Sequence, residues 1–230
     1  MDREKIVQIA KATLRQPKGK IALDYLKDKR RFSDIIIDKF NFGYCPKDVD
    51  HQLNGRIIVP VYDAYGGLVA LSTRHIEEDH SIRFWHEKYH KSYFLYALNF
   101  AKKNMLKRNK VILVEGEFDT ASLHSFGFDF TIGVCGSAFS LVQAVSIARY
   151  CSNVYLLFDG DSAGRHAIDN AMKMCDEYGF DKRSSPAFNF IPVYLPDGID
   201  PEDYVKSEGP NGMIELLKKA KKEHELWINN

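Results

Sequence analysis

Cysteine is scarce in this chain: Cys45, Cys135, Cys151 and Cys175 are the only four among 230 residues, and no two stand in a C-x-x-C pair. That spacing excludes a zinc ribbon, a redox dithiol or a disulfide framework, leaving four small hydrophobes of a reducing compartment. Long hydrophobic runs are missing too. No stretch approaches the roughly 18 consecutive apolar residues of a membrane helix, and residues 1–12 interleave charges where a signal peptide needs an apolar segment. The expected location is the cytoplasm, with no membrane partner. Internal repeats and low-complexity segments are also absent, so a solenoid or a disordered tail is not expected. Net charge is nearly absent at +1, but the total hides a split. Residues 1–108 carry a net +8 and residues 109–230 a net −7. A basic half beside an acidic half suits a surface for a polyanion next to carboxylates that hold divalent cations, although solvated faces produce the same split.

What is present is enough apolar material for a core: 45% hydrophobic residues with 13% aromatics. The length allows one ordinary domain or two small ones. Residues 5–14, 20–29 and 34–40 repeat apolar positions at helical spacing, with Ser33 as the cap of the third segment. Residues 56–63 and 68–74 are β-rich runs joined across Gly66-Gly67, which predicts a hairpin in a small antiparallel sheet. Residues 81–96 crowd aromatics, histidines and cations together, a composition that stacks bases in single-strand grooves and equally makes an aromatic core strand with a basic edge. From Lys110 the texture changes. Apolar runs at 111–114, 130–134, 154–158 and 188–194 alternate with helical stretches at 119–126, 140–150 and 163–178. Such alternation predicts a parallel sheet covered on both faces. The polar segment 104–109 reads as the junction, and 213–228 as a helix packed on the core. The expected fold is therefore α/β, with an α+β subdomain at 1–108, a parallel-sheet domain at 109–205 and a C-terminal helix at 206–230.

In a parallel sheet, ligands gather beyond the carboxyl ends of the strands. Two apolar runs here end in acids, Val114-Glu115-Gly116-Glu117-Phe118-Asp119 and Phe158-Asp159-Gly160-Asp161, and a third acidic segment, with Asp197, Asp200, Glu202 and Asp203, follows the last strand. Carboxylates brought together in this way repel one another, and a hard divalent cation relieves the repulsion. Taken singly each motif is ordinary: Asp-x-Asp occurs in phosphatases and glycosyltransferases, and Asp-Gly is common turn chemistry. Their order after successive strands carries the information.

That order and spelling resemble the Toprim domain of primases, topoisomerases and some nucleases, on Glu115 with Asp119, then Asp159-x-Asp161 followed by Gly164-Arg165. Within the superfamily the chain looks most like the catalytic core of bacterial DnaG-type primases. Tyr25-Leu26 is similar to that family's helical entry, and Phe40-Asn-Phe-Gly-Tyr-Cys-Pro46 to its F-x-I-G-Y-A-P stretch. The hairpin from Arg56 to Arg74 is similar to its R-V-x-F-P-I and G-G-R elements, and Tyr89-His90-Lys91 to its F-H-K segment. The run Gly133-Val-Cys-Gly-Ser137 loosely follows S-L-G-T-S, and Leu195-Pro-Asp-Gly-Ile-Asp-Pro-Glu202 closely follows L-P-x-G-x-D-P-D. Departures are Arg83-Phe-Trp-His-Glu87 where the family has K-Y-x-N-S, and Glu117-Phe118 within its E-G-Y-x-D.

The resemblance implies a DNA-dependent RNA polymerase that makes short primers on single-stranded DNA from ribonucleoside triphosphates. It implies Glu115, Asp159 and Asp161 as catalytic residues. The same three, with Asp119, Asp200 and Glu202, are implied as ligands of Mg²⁺ or Mn²⁺, two ions and no zinc. It further implies Arg56, Arg74, Arg83, Lys91 and Arg165 as nucleotide or nucleic-acid contacts, with Trp85 and Tyr89 as stacking candidates that serve equally as core residues. A zinc-binding module and a contact to the replicative helicase, for which these residues leave no room, are expected on other chains or other parts of a longer one. Two rival readings are a Toprim nuclease, using the same carboxylates with water as nucleophile, and a non-catalytic nucleic-acid-binding subunit that keeps the fold.

Overall fold

The computed structural model describes residues 2–46, 52–77, 79–136, 138–178 and 188–229, and the chain divides into two compact units, Met1–Tyr89 and His90–Asn230. Ser137, part of the motif noted above, lies outside the described residues.

The first unit opens with helix α1 (Arg3–Leu14), capped by Asp2, whose side chain accepts from the Glu4 amide. Helix α2 (Lys20–Asp24) runs into a π-helical turn over Tyr25–Lys29, where the sequence predicts a single regular helix. Helix α3 (Asp34–Lys39) starts at Ser33, whose Oγ accepts from the Ile36 amide as expected of an N-cap. Four antiparallel strands follow in sequential order: β1 (Gly43–Cys45), β2 (Arg56–Tyr62), β3 (Leu68–His75) and β4 (Phe84–His86). The hairpin is where it is expected, with Ile58 opposite Thr73 and Pro60 opposite Leu71. Val7 and Ala10 of α1 pack on Ile58, Leu71 and Leu53, and Trp85 covers that cluster. Trp85 is therefore a half-buried side chain packed against the core.

The second unit begins with helix α4 (Leu98–Arg108), entered and left through left-handed residues, Ala97 (φ 63°) and Asn109 (φ 50°). The segment read as a junction, 104–109, is the end of this helix, and the expected boundary at residue 108 moves back to Tyr89. The physical reason is that residues 91–96 bond to the second unit: Lys91 to Cys135, Ser92 to Ser140, and Tyr96 to Gly133. Next come β5 (Lys110–Val114), α5 (Glu117–Ser125), β6 (Thr131–Gly133), α6 (Leu141–Ala148), β7 (Asn153–Leu157), α7 (Ser162–Glu177), β8 (Asn189–Val193) and α8 (Pro201–Asn229). The four strands are parallel in the order β6-β5-β7-β8, and β5 and β7 are buried almost throughout. Helix α8 is two helices joined at Gly209 (φ 68°) and Pro210, and it packs on α5 and β8. Its start at Pro201 precedes the expected 206. Among the described residues no helix is long and apolar enough to cross a membrane.

Candidate metal and nucleotide site

The sheet order fixes the location. The chain leaves β5 to one side for β6 and returns on the other side for β7, so the order reverses between β5 and β7, and ligands of open parallel sheets bind at such a point beyond the strand ends. Glu115 follows β5 and Asp159 follows β7, on neighbouring strands. The Asp159 amide donates to Glu115 Oε1 at 3.3 Å, so the two loops are joined. The third acidic loop is stapled to the second by backbone: Gly160 N donates to Ile199 O (2.9 Å) and Gly198 N to Gly160 O (2.7 Å). A Cβ on Gly160 would lie 2.1 Å from Pro196 O, so only glycine allows this approach.

Asp159 consequently sits in a field of like charge. Burial, then Glu115, Asp200 and Asp161, push its carboxyl up to about 7, and its Oδ1 is buried with no hydrogen-bond partner. Burial and Asp161 also raise Glu115, against the stabilising Asp159 amide. The structure thus brings together Glu115, Asp159, Asp161 and Asp200. Asp161 caps α7, accepting from Gly164 N at 2.8 Å, and Asp200 caps α8, accepting from Asp203 N at 2.6 Å. Asp119 lies in the first turn of α5, its carboxylate folded over Gly116. Glu202, 1% exposed, is paired with Lys206 one turn along α8. These engagements explain why, among the described residues, no three His, Cys, Asp or Glu side chains close into a ready ligand set. An unpartnered buried carboxylate oxygen amid all-oxygen donors nonetheless fits a hard divalent cation.

The expected cations divide differently. Arg56 is buried, its Nη1 and Nη2 donating to the carbonyls of Arg83 (3.3 Å) and Ile82 (2.7 Å), and burial lowers its pKa. These bonds brace its own unit. Arg74 is also buried, donating to the Tyr25 hydroxyl at 2.6 Å and lying over the Phe84 ring at 4.7 Å. Arg83 is exposed. In the second unit Arg165 pairs with Asp197, and Lys91 Nζ donates to Cys135 O at 3.0 Å. Sequence reasoning counts Asp197 only among the acids of the third segment, not as the partner of Arg165, and assigns nothing to Lys206 or Gln143. The Ser140-x-x-Gln143 spacing, a capping-box signature, was a signal that could have found the last.

Residues 110–188 match the Toprim domain family. The DNA primase of Chlamydia trachomatis is 31% identical over 90% of this chain and 38% of its own length. Among solved structures, a DnaG primase catalytic domain bound to single-stranded DNA aligns with a TM-score of 0.85 at 22% identity, over 94% of this chain and 76% of that one. The E. coli primase catalytic core gives 0.82 at 23%, over 94% and 78%. The chain spans less than half the length of the curated relatives it matches.

Proposed function

Because this chain is a relative of the bacterial DNA primases and carries their Toprim domain, we propose that it synthesises short RNA primers on single-stranded DNA by nucleotidyl transfer. The observation that carries the reading is the meeting of Glu115, Asp159, Asp161 and Asp200 at the switch point of the parallel sheet, around a buried oxygen that lacks a partner. Glu115, Asp159, Asp161 and Asp200 would hold two divalent cations, Mg²⁺ or Mn²⁺, with Asp119 beside them. Glu202 joins this set only by leaving Lys206. Cations bound there would offset the carboxylate repulsion and the charge of a triphosphate.

The residues themselves account for the remaining work. The primer 3′ oxygen attacks the α-phosphorus of the incoming ribonucleotide, and the bond to pyrophosphate breaks. Glu115, whose pKa is raised by burial, accepts the proton of that hydroxyl. Lys91 presents an ammonium at the β6 loop, where it can meet a phosphate, and Arg165 can do so on leaving Asp197. Arg83 is the exposed arginine offered to the template backbone. A separate zinc-binding module and a replicative helicase are proposed as partners.

Incubation with single-stranded DNA, labelled ribonucleotides and Mg²⁺ or Mn²⁺ tests this beside Asp159→Ala. New oligoribonucleotides that vanish in the variant are expected. Metal-dependent loss of the template, or of an added RNA, without synthesis would replace the proposal with the nuclease reading.

A further inference from the structure

Gln143 is a fully buried amide whose two donated bonds lead to one segment. Its Nε2 donates to the carbonyls of Phe94 (2.7 Å) and Lys91 (3.2 Å), and its Oε1 accepts from Ser140 N at 3.0 Å. Ser140 Oγ, which also caps α6, donates to Ser92 O at 2.6 Å. The 3₁₀ turn Lys91–Tyr93 and its C-cap Phe94 therefore hang by three carbonyls from the start of α6. Only a side chain carrying both donors and an acceptor can make the Gln143 set.

The turn in its place aims Lys91. Its Nζ donates to the carbonyl of Cys135, a non-glycine residue held at φ 60° and followed by Gly136 at φ 64°. Gly136 N in turn donates to the Glu115 carbonyl at 3.0 Å. A continuous path thus runs from Gln143 through Lys91 and the β6 loop to the backbone of the catalytic carboxylate, all within one compact unit.

We propose that Gln143 is a positioning residue that acts through Lys91, fixing the ammonium at the rim of the site where a nucleoside triphosphate places its phosphates. This rests on the nucleotidyl-transfer reading above. Truncating Gln143 leaves the packing of α6 but frees the turn, so Lys91 spends less time at the rim. The cost falls on nucleotide binding more than on turnover, because the carboxylates are untouched.

The test compares wild type, Gln143→Met, Lys91→Ala and the double variant. Methionine keeps the buried shape and removes the hydrogen bonds. Binding of a fluorescent ribonucleoside triphosphate is measured with Mn²⁺ present, together with KM and kcat for primer synthesis. Of the three hydrogen bonds that methionine removes, the two that hold the turn correspond to about a tenfold loss of nucleotide affinity and a similar rise in KM, with kcat within about threefold. The double variant should bind no more weakly than Lys91→Ala alone. Ser140→Ala, which releases a third carbonyl of the same turn, should reproduce part of the loss if Gln143→Met folds poorly. Unchanged nucleotide binding in Gln143→Met, or losses that multiply in the double variant, would overturn the inference. Wild-type protein that binds nucleotide but makes no primer would instead overturn the functional reading and leave this positioning role standing.

Discussion

A carboxyl held near 7 leaves a signature in the metal-free protein. Between the ordinary aspartate value of about 4 and pH 7, folded Asp159 binds more protons than the unfolded chain, so stability falls as pH rises through that window. Asp159→Asn should flatten this slope in melting curves recorded from pH 4 to 8 with chelator present. Protons and cations compete for the same oxygens, so Mn²⁺ binding should tighten as pH rises through 7, and calorimetry at pH 6 and 8 checks it. At the same scale, Arg56 braces two carbonyls and should behave as a structural residue. Arg56→Met is expected to cost about 2–3 kcal/mol in denaturant unfolding while leaving the salt dependence of single-stranded DNA binding unchanged. The spelling of the chain pointed to the acids, because strand ends and acid spacing are written in it. It could not reveal that Arg56 and Arg74 turn inward, or that Glu202 is taken by Lys206, since burial and pairing depend on what packs from elsewhere.

Among the elements, those with a strong period or a strong composition were legible. The apolar runs after Lys110 became β5, β6, β7 and β8 within a residue or two of their expected ends, and Ser33 capped α3. Helix α4 went unread because its exposed face is basic and polar, and it passed for a junction. Strands β1 and β4 are three residues each, too short for a period to show, and the π turn at Tyr25–Lys29 is one residue out of phase with the helix it continues. The staple between the β7 loop and residues 196–200 is the element-level device on which the site depends. Gly160→Ala should part the two loops through the clash with Pro196 O, weakening Mn²⁺ binding at least about tenfold by calorimetry with the far-ultraviolet circular dichroism retained.

Across the whole molecule, the charge split follows the sequence more closely than the structure. Divided at Tyr89, where the compact units part, the two halves carry a net +3 and −2, because Lys91, Lys102, Lys103, Lys107 and Arg108 belong to the carboxylate unit. Cations and carboxylates are thus folded into one body, an arrangement that suits the proposed binding of a polyanion beside metal ions. Hydrogen exchange with and without Mn²⁺ should show slowing confined to His90–Asn230, at the loops after β5, β7 and β8, with Met1–Tyr89 unchanged. The acidic loops are also the places where α5, α7 and α8 begin, so three positive helix-dipole ends lie beside the carboxylates, and the first turns of α7 and α8 already donate amides to Asp161 and Asp200. The scaffold supplies part of the countercharge itself, and stripping the protein with a chelator should silence the proposed primer synthesis while leaving its secondary structure in place.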